Sequence, residues 1–388
     1  MKNVPELRFK EFSGEWKYCY LNEIIEIFKK KFNPKKNSAN QICIELEHIS
    51  SETGKLLGYI NSNNQSSIKN IFKENQIIYG KLRPYLRKFW FTKFNGVCSS
   101  EFWVFNGKQT DNKYLYFFIQ TEKFNQISNI SCGSKMPRAD WNYMSLFKFF
   151  IPSLPEQQKI ASFLSTIDKK IELTDKRLEY LESYKKGLMQ KLLTGEIRFP
   201  GFNDEWKEEK LGDLLTEIKK EKIENQQLYK VANIQLYGKG MKHTNKTPNI
   251  TEKGRPYFII NEGDILIGKQ AFHCGSIAIA TKDFQNCVTS NAILHTIENS
   301  QKLIKDFIVL YLKNESFYNS LKNISEGTGQ KEIAKNEFNN IKINIPSLPE
   351  QQKIASFLSA IDKKIELTKS RLENLKTYKK SLLQKMFV

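Results

Sequence analysis

The chain has 388 residues, a mass of 45.4 kDa and a formal net charge of +19, with 40% hydrophobic and 12% aromatic residues. That suits two or three packed domains, excludes a disordered chain, and makes a polyanion the expected partner, nucleic acid ahead of membrane surface. No apolar run reaches the ~18–20 residues of a membrane span, the opening MKNVPELRFKEF lacks a secretory apolar stretch, and six scattered cysteines without a C-x-x-C pair suit reduced thiols in a cytoplasm.

In chain order, Leu7-Arg8-Phe9 with Glu15-Trp16 forms a first short motif. Short β-branched and aromatic runs punctuated by Gly and Asn predict strands, among them Ile77-Ile78-Tyr79, which leads into Gly80. A basic turn follows, with Lys81, Arg83, Tyr85, Arg87 and Lys88 around Pro84. Residues 113–127 have helical apolar spacing. A second basic turn carries Ser134, Lys135 and Arg138. The block then ends, and residues 151–194 predict one long helix that starts at Pro155.

Everything then recurs. Ile197-Arg198-Phe199 with Glu205-Trp206 echoes the first motif. Ile265-Leu266-Ile267 leads into Gly268, then Lys269, Gln270 and His273, and 303–321 again has helical spacing. Thr328, Gln330 and Lys331 stand where the second basic turn stood, and 345–388 predict a second long helix. Over 41 positions from Ile151 and Ile345 the copies differ at eight, namely 166, 175, 176, 180, 182, 183, 187 and 189. The chain is therefore a tandem duplication, with boundaries expected at 1–150, 151–194, 195–344 and 345–388. The fold class is α+β, two mixed α/β globular domains joined by two long helices.

Apolar residues in each repeated block alternate four and three apart: Ile160, Leu164, Ile167, Ile171, Thr174, Leu178 and Leu181, then Ile354, Leu358, Ile361, Ile365, Thr368, Leu372 and Leu375. This predicts a coiled coil, its helix about 55 Å long at ~1.5 Å per residue. The simplest pairing is antiparallel within one chain, which gives the duplication an approximate two-fold; pairing between chains satisfies the same seams. Thr174 and Lys185, matched by Thr368 and Lys379, are polar seam positions. They either set register or, for the lysine near a helix end, snorkel to solvent.

Catalytic signatures are missing from this sequence. GDILIGKQ at 263–270 resembles a phosphate-binding loop, but Gln270 replaces the Mg²⁺-binding hydroxyl and the interior reads as a strand. His48, His243, His273 and His295 are too dispersed for a metal site by spacing. The basic turns remain, where Arg can pair with guanine, Gln with adenine, and Lys with phosphates. Residues 1–150 carry +10 of the charge and 193–344 only +2, so the first domain is the strongly basic one.

The duplicated PSLPEQQKIASFLS…ID block, each copy behind a variable domain, resembles the specificity (S) subunit of Type I restriction-modification systems, and Gly80-Lys81-Leu82-Arg83-Pro84 supports the resemblance. The resemblance implies two target recognition domains on a pseudo-two-fold frame, each reading half of a bipartite asymmetric site in double-stranded DNA, with the helices setting the spacing. It implies docking of two modification (M) subunits that methylate adenine N6, and of restriction/translocase (R) subunits. It implies no cofactor in this non-catalytic chain, with S-adenosylmethionine, ATP and Mg on the partners. The first half departs at Ser134-Lys135-Met136-Pro137, where the second keeps Thr328-Gly329-Gln330-Lys331.

Overall fold

The computed structural model describes residues 3–388 except 37–39, 133–135, 221, 225–227, 252–253 and 322–332. The chain divides into two compact units, Met1–Lys176 with Ser370–Val388, and Arg177–Lys369. Each unit therefore contains one globular domain, half of the first long helix (Leu154–Leu193) and half of the second (Leu348–Lys385).

In the first unit, a four-stranded antiparallel sheet orders Ile25–Ile27, Phe102–Gly107, Ile77–Gly80 and Phe89–Phe91. A five-stranded sheet orders Lys31–Phe32, Lys69–Phe72, Gly96–Cys98, Ile42–Ile44 and Ile60–Asn61, with one parallel pair, Cys43 against Val97. Lys17–Tyr20 pairs with Lys148–Ile151 and closes the domain beside the helix start. The second unit repeats the plan. Leu215–Glu217, Ile293–Glu298, Ile265–Gly268 and Ile277–Ile279 form one sheet. Met241–His243, Lys230–Ile234, Cys287–Ser290 and Tyr257–Ile259 form the other, again with one parallel pair, Val231 against Val288. Ile77, Ile78, Ile265, Leu266 and Ile267 are fully buried, because these central strands are covered on both faces.

The two stretches with helical spacing are each a pair of short helices, not one. Asn112–Phe118 is followed by Glu122–Ser128, and Lys305–Lys313 by Glu315–Ser320. Side-chain caps explain the break: Thr121 accepts from the Phe124 amide, and Asn314 from the Ser316 amide. Such a cap satisfies an amide the helix leaves free, so a new helix starts there.

The long helices pair antiparallel. In the first unit Ile160, Leu164 and Ile167 share a core with Leu382 and Met386, and Ile171 packs against it. In the second, Ile354, Leu358, Ile361 and Ile365 share a core with Leu192, and Leu178 and Leu181 pack on it. Leu372 is buried and Leu375 half-buried. Thr174 and Thr368 each turn their hydroxyl to the carbonyl four residues back, on Lys170 and Lys364, at 2.7 Å. They satisfy themselves and select no partner. The lysines cross the seam instead: Lys185 Nζ lies 2.6 Å from Asp362, and Lys379 Nζ lies 2.7 Å from Asp168. The two bridges are the same bridge in the two copies, and they register the helices.

The repeated Glu-Gln at each helix start is an attachment. Glu156, 1% exposed, takes a bidentate pair from Arg8 at 2.7 and 2.8 Å and the Trp16 indole N–H at 3.2 Å. Glu350, also 1% exposed, takes Arg198 at 2.9 and 2.7 Å. Gln157 accepts from the Asp111 amide and donates to the Pro152 carbonyl; Gln351 accepts from the Ile304 amide and donates to the Pro346 and Lys302 carbonyls. Leu7 N donates to Lys385 O as Ile197 N donates to Lys191 O, so each short motif also clamps the end of a long helix.

Candidate nucleic-acid interface

The first basic turn joins the paired strands Ile77–Gly80 and Phe89–Phe91, and its ends are closed by Gly80 N donating to Lys88 O at 2.8 Å. In the second unit Gly268 N donates to Ser276 O at 2.9 Å around 269–275, so the two turns have equal length. Each is held on a second side. Lys81 N donates to Glu101 O, and Lys81 O accepts from Ala139 N at 2.9 Å; Lys269 N donates to Ala292 O, and Lys269 O accepts from Ile333 N at 3.1 Å. Arg83 N donates to Pro137 O at 2.8 Å, and Leu82 bridges to Arg138. The structure thus brings the turn at 81–88 together with Arg138. Ser134, Lys135, Thr328, Gln330 and Lys331 lie outside the described residues.

The four cations of 81–88 are not equivalent. Lys88 Nζ donates to the Leu46 and Ile49 carbonyls at 2.6 and 2.9 Å. Arg87 Nη2 donates to the Gln120 carbonyl at 2.6 Å, and Nη1 lies 3.3 Å from Glu122. Both are spent on holding the turn. Arg138 pairs in a bidentate manner with Glu101 at 3.0 and 3.1 Å, still on the surface. Lys81 is half-buried. Arg83 is exposed, and its guanidinium engages none of the described residues; Tyr85 beside it is 54% exposed. Arg83 and Arg87 both have left-handed backbones, φ 50° and 48°, with the buried Pro84 between them. Left-handed non-glycine residues carry a strain that surrounding bonds must hold, and such strain gathers at functional sites.

Gln120 also joins this turn to the long helices. Its carbonyl takes Arg87, and its Oε1 accepts from Lys379 Nζ at 2.8 Å, the lysine that bridges to Asp168. In the second unit Lys313 stands near the corresponding Lys185–Asp362 bridge, where burial and the Lys185 cation lower its ammonium pKa below the ordinary 10.5.

Lys269, Gln270 and His273 are half-buried on the helical turn Lys269–Cys274. Beside them lies a loop that sequence reasoning missed: Tyr237 N donates to Cys274 O at 2.7 Å and Gly238 N to Gly275 O at 2.9 Å, leaving Tyr237 60% exposed. The local signal was there, in Gly238 and Gly240, both with positive φ. The first unit has the same contact, Glu52 N to Arg87 O at 3.0 Å. Where the phosphate-loop look-alike lies, Ile265–Gly268 is a central strand whose backbone is paired on both sides, so it forms no cradle.

A Thr–His–Asp arrangement sits inside the second unit. His295 Nε2 lies 2.7 Å from Thr289 Oγ1, and its Nδ1 lies 3.2 Å from Asp264 Oδ2, which also accepts from the Asn261 amide and from Lys220. Thr289 is 1% exposed, so this is a polar core, not a nucleophile open to substrate. Burial works to raise the Asp264 pKa, but the hydrogen bonds from His295 and Lys220 hold it below the ordinary 3.8. A depressed carboxyl stabilises the fold above its unfolded pKa and ceases to do so as pH falls through its folded one. Acid unfolding of the second unit below about pH 4 should therefore flatten in Asp264→Asn, read by hydrogen exchange over 215–298.

The match to known proteins decides what these paired turns belong to. The model of the Type I restriction modification DNA specificity domain matches twice, at residues 13–183 and 203–377. The chain belongs to this family of DNA specificity subunits. Among its relatives, the Type I restriction enzyme MjaVIII specificity subunit of Methanocaldococcus jannaschii is 28% identical over 297 residues, 71% of this chain and 69% of that protein. The putative MjaX specificity subunit of the same organism is 24% identical over 419 residues, 98% and 95% of the two chains. The crystal structure of the HsdS subunit from Thermoanaerobacter tengcongensis shares the fold with a TM-score of 0.54 at 19% identity, covering 96% of each chain. The S subunit from M. genitalium does so with a TM-score of 0.59 at 16% identity, covering 99% of each. Specificity subunits supply DNA sequence recognition rather than catalysis. Among the described residues of this one, no helix is long and apolar enough to cross a membrane.

Proposed function

We propose that each globular domain reads one half of a bipartite, asymmetric target in double-stranded DNA, and that the chain thereby directs adenine N6 methylation by two M subunits and restriction by R subunits. One observation carries this reading. The frame is duplicated down to individual bonds (Arg8–Glu156 with Arg198–Glu350, Lys379–Asp168 with Lys185–Asp362), while the turns at 81–87 and 269–275 differ. A common frame with two different reading surfaces suits two different half-sites. Leu173 and Tyr184 on the first helix and Leu367 and Tyr378 on the second are exposed at equivalent positions, which suits two copies of one M partner. S-adenosylmethionine, ATP and Mg belong to the partner subunits in this reading, and the complex works in the cytoplasm.

The test is exchange of residues 1–150 for the corresponding domain of another S subunit, followed by methylome sequencing of cells that carry the M subunit. Half of the methylated motif should change and the other half stay. An unchanged motif refutes the reading.

A further inference from the structure

The long helices are near copies, so each could pair with its own kind in another chain as well as with its sister in the same chain. The bridges Lys185–Asp362 and Lys379–Asp168 cannot discriminate, because both copies carry both residues. Only the positions where the copies differ can. Two of the eight differences reverse charge: Asp175 corresponds to Lys369, and Glu182 to Lys376.

These positions are partners. Glu182 pairs with Lys369 at 2.9 Å across the helices in the second unit, both half-exposed. Accepting that hydrogen bond, Glu182 is the largest influence raising the Lys369 ammonium pKa. The same antiparallel register in the first unit sets position 175 opposite position 376, also acid against base. There each has a nearer ion partner, Asp175 with Lys55 at 3.3 Å and Lys376 with Glu373 at 2.8 Å, so their mutual attraction acts over a longer distance. Now substitute like for like. Two first helices paired in this register set Asp175 of each chain against Glu182 of the other. Two second helices set Lys369 against Lys376. Every one of these contacts is repulsive.

We propose that Asp175, Glu182, Lys369 and Lys376 form a charge code that directs each first helix to a second helix and disfavours pairing of like helices between two copies of this chain. Charges flanking an apolar seam select partners in coiled coils in this way. The seam itself supplies affinity to both pairings; the four charges supply the choice. Because they are exposed, the choice is screened by salt. The code is independent of which DNA is read.

The test uses two full-length variants. Asp175→Lys/Glu182→Lys makes all four positions basic, and Lys369→Asp/Lys376→Glu makes all four acidic. Each should unfold at a lower temperature than the wild type in 20 mM salt, with the difference shrinking at 500 mM. The quadruple variant with both helices reversed should recover the wild-type midpoint. When the basic and acidic variants are refolded together, each offers the other a complementary helix, and a tagged basic variant should capture the acidic one at least tenfold more than tagged wild type captures wild type. Equal capture in the two mixtures, or a quadruple variant no more stable than either double variant, overturns the code.

Discussion

Glu156→Ala should destabilise the first unit by about 3–5 kcal/mol, the usual cost of removing one partner from a buried ion pair. The carboxylate is 1% exposed and accepts three hydrogen bonds, two from Arg8 and one from the Trp16 indole. Its loss strands a partly buried guanidinium and a buried N–H, and undoes the attachment between the short motif, the helix start and the sheet pair Lys17–Tyr20 with Lys148–Ile151. Scanning calorimetry should show the first unit's transition move while that of the second unit, held by Arg198 and Glu350, stays. Glu156→Gln should recover part of the loss, because the amide oxygen still accepts, but not the charge-assisted part. An unshifted transition in Glu156→Ala would show that the pair holds nothing.

Arg83→Ala and Arg87→Ala should separate recognition from scaffolding. Arg83 is exposed and engages none of the described residues, so truncation should change stability by no more than about 0.5 kcal/mol. If it reads a base edge, the assembled methyltransferase should bind its site about 5- to 150-fold more weakly, the ~1–3 kcal/mol of one good bidentate base contact, with non-specific DNA binding little changed. Arg87→Ala should do the reverse first. It removes the donors to Gln120 O and Glu122, for about 1.5–3 kcal/mol of stability at charge-assisted bonds, and loosens the turn that presents Arg83 and Tyr85. Competition binding at fixed salt, alongside thermal melts, distinguishes the two. A stable Arg87→Ala variant, or an Arg83→Ala variant with unchanged site preference, would contradict the assignment.

Coupling between turn and frame follows from the same residues. Gln120 lies between Arg87 and Lys379, and Lys379 bridges to Asp168. The basic turn of the first unit is thus tied by hydrogen bonds to the helix pair. The second unit replaces the neutral amide with Lys313, a cation near the Lys185–Asp362 bridge. The two domains share a frame, but a neutral amide stands beside one helix bridge and a cation beside the other.

The sequence by itself determined the duplication, the two long helices and their seam, and the place of the turn at 81–88 and its counterpart at 269–275. Repeats and helical period are properties of neighbours along the chain: Ile160, Leu164, Ile167 and Ile171 declare a helix face without reference to anything distant. It also separated residues common to both copies from those that differ, on which the charge code rests. Only the tertiary structure decided which cations of the turn at 81–88 engage other described residues. Lys88 and Arg87 look like Arg83 in the sequence, and what distinguishes them is carbonyl oxygens at Leu46, Ile49 and Gln120, more than 30 residues away. The same holds for the loop at Tyr237, which reaches the second turn through backbone bonds to Cys274 and Gly275 that no side-chain pattern encodes. For the seam lysines, the sequence favoured snorkelling over a register role, and the structure reverses that reading. The aspartates that settle it, Asp362 and Asp168, lie on the opposite helix, and only antiparallel packing brings them within 2.7 Å. A charged side chain's role depends on what lies across space at its tip, and that is fixed only when the chain has folded.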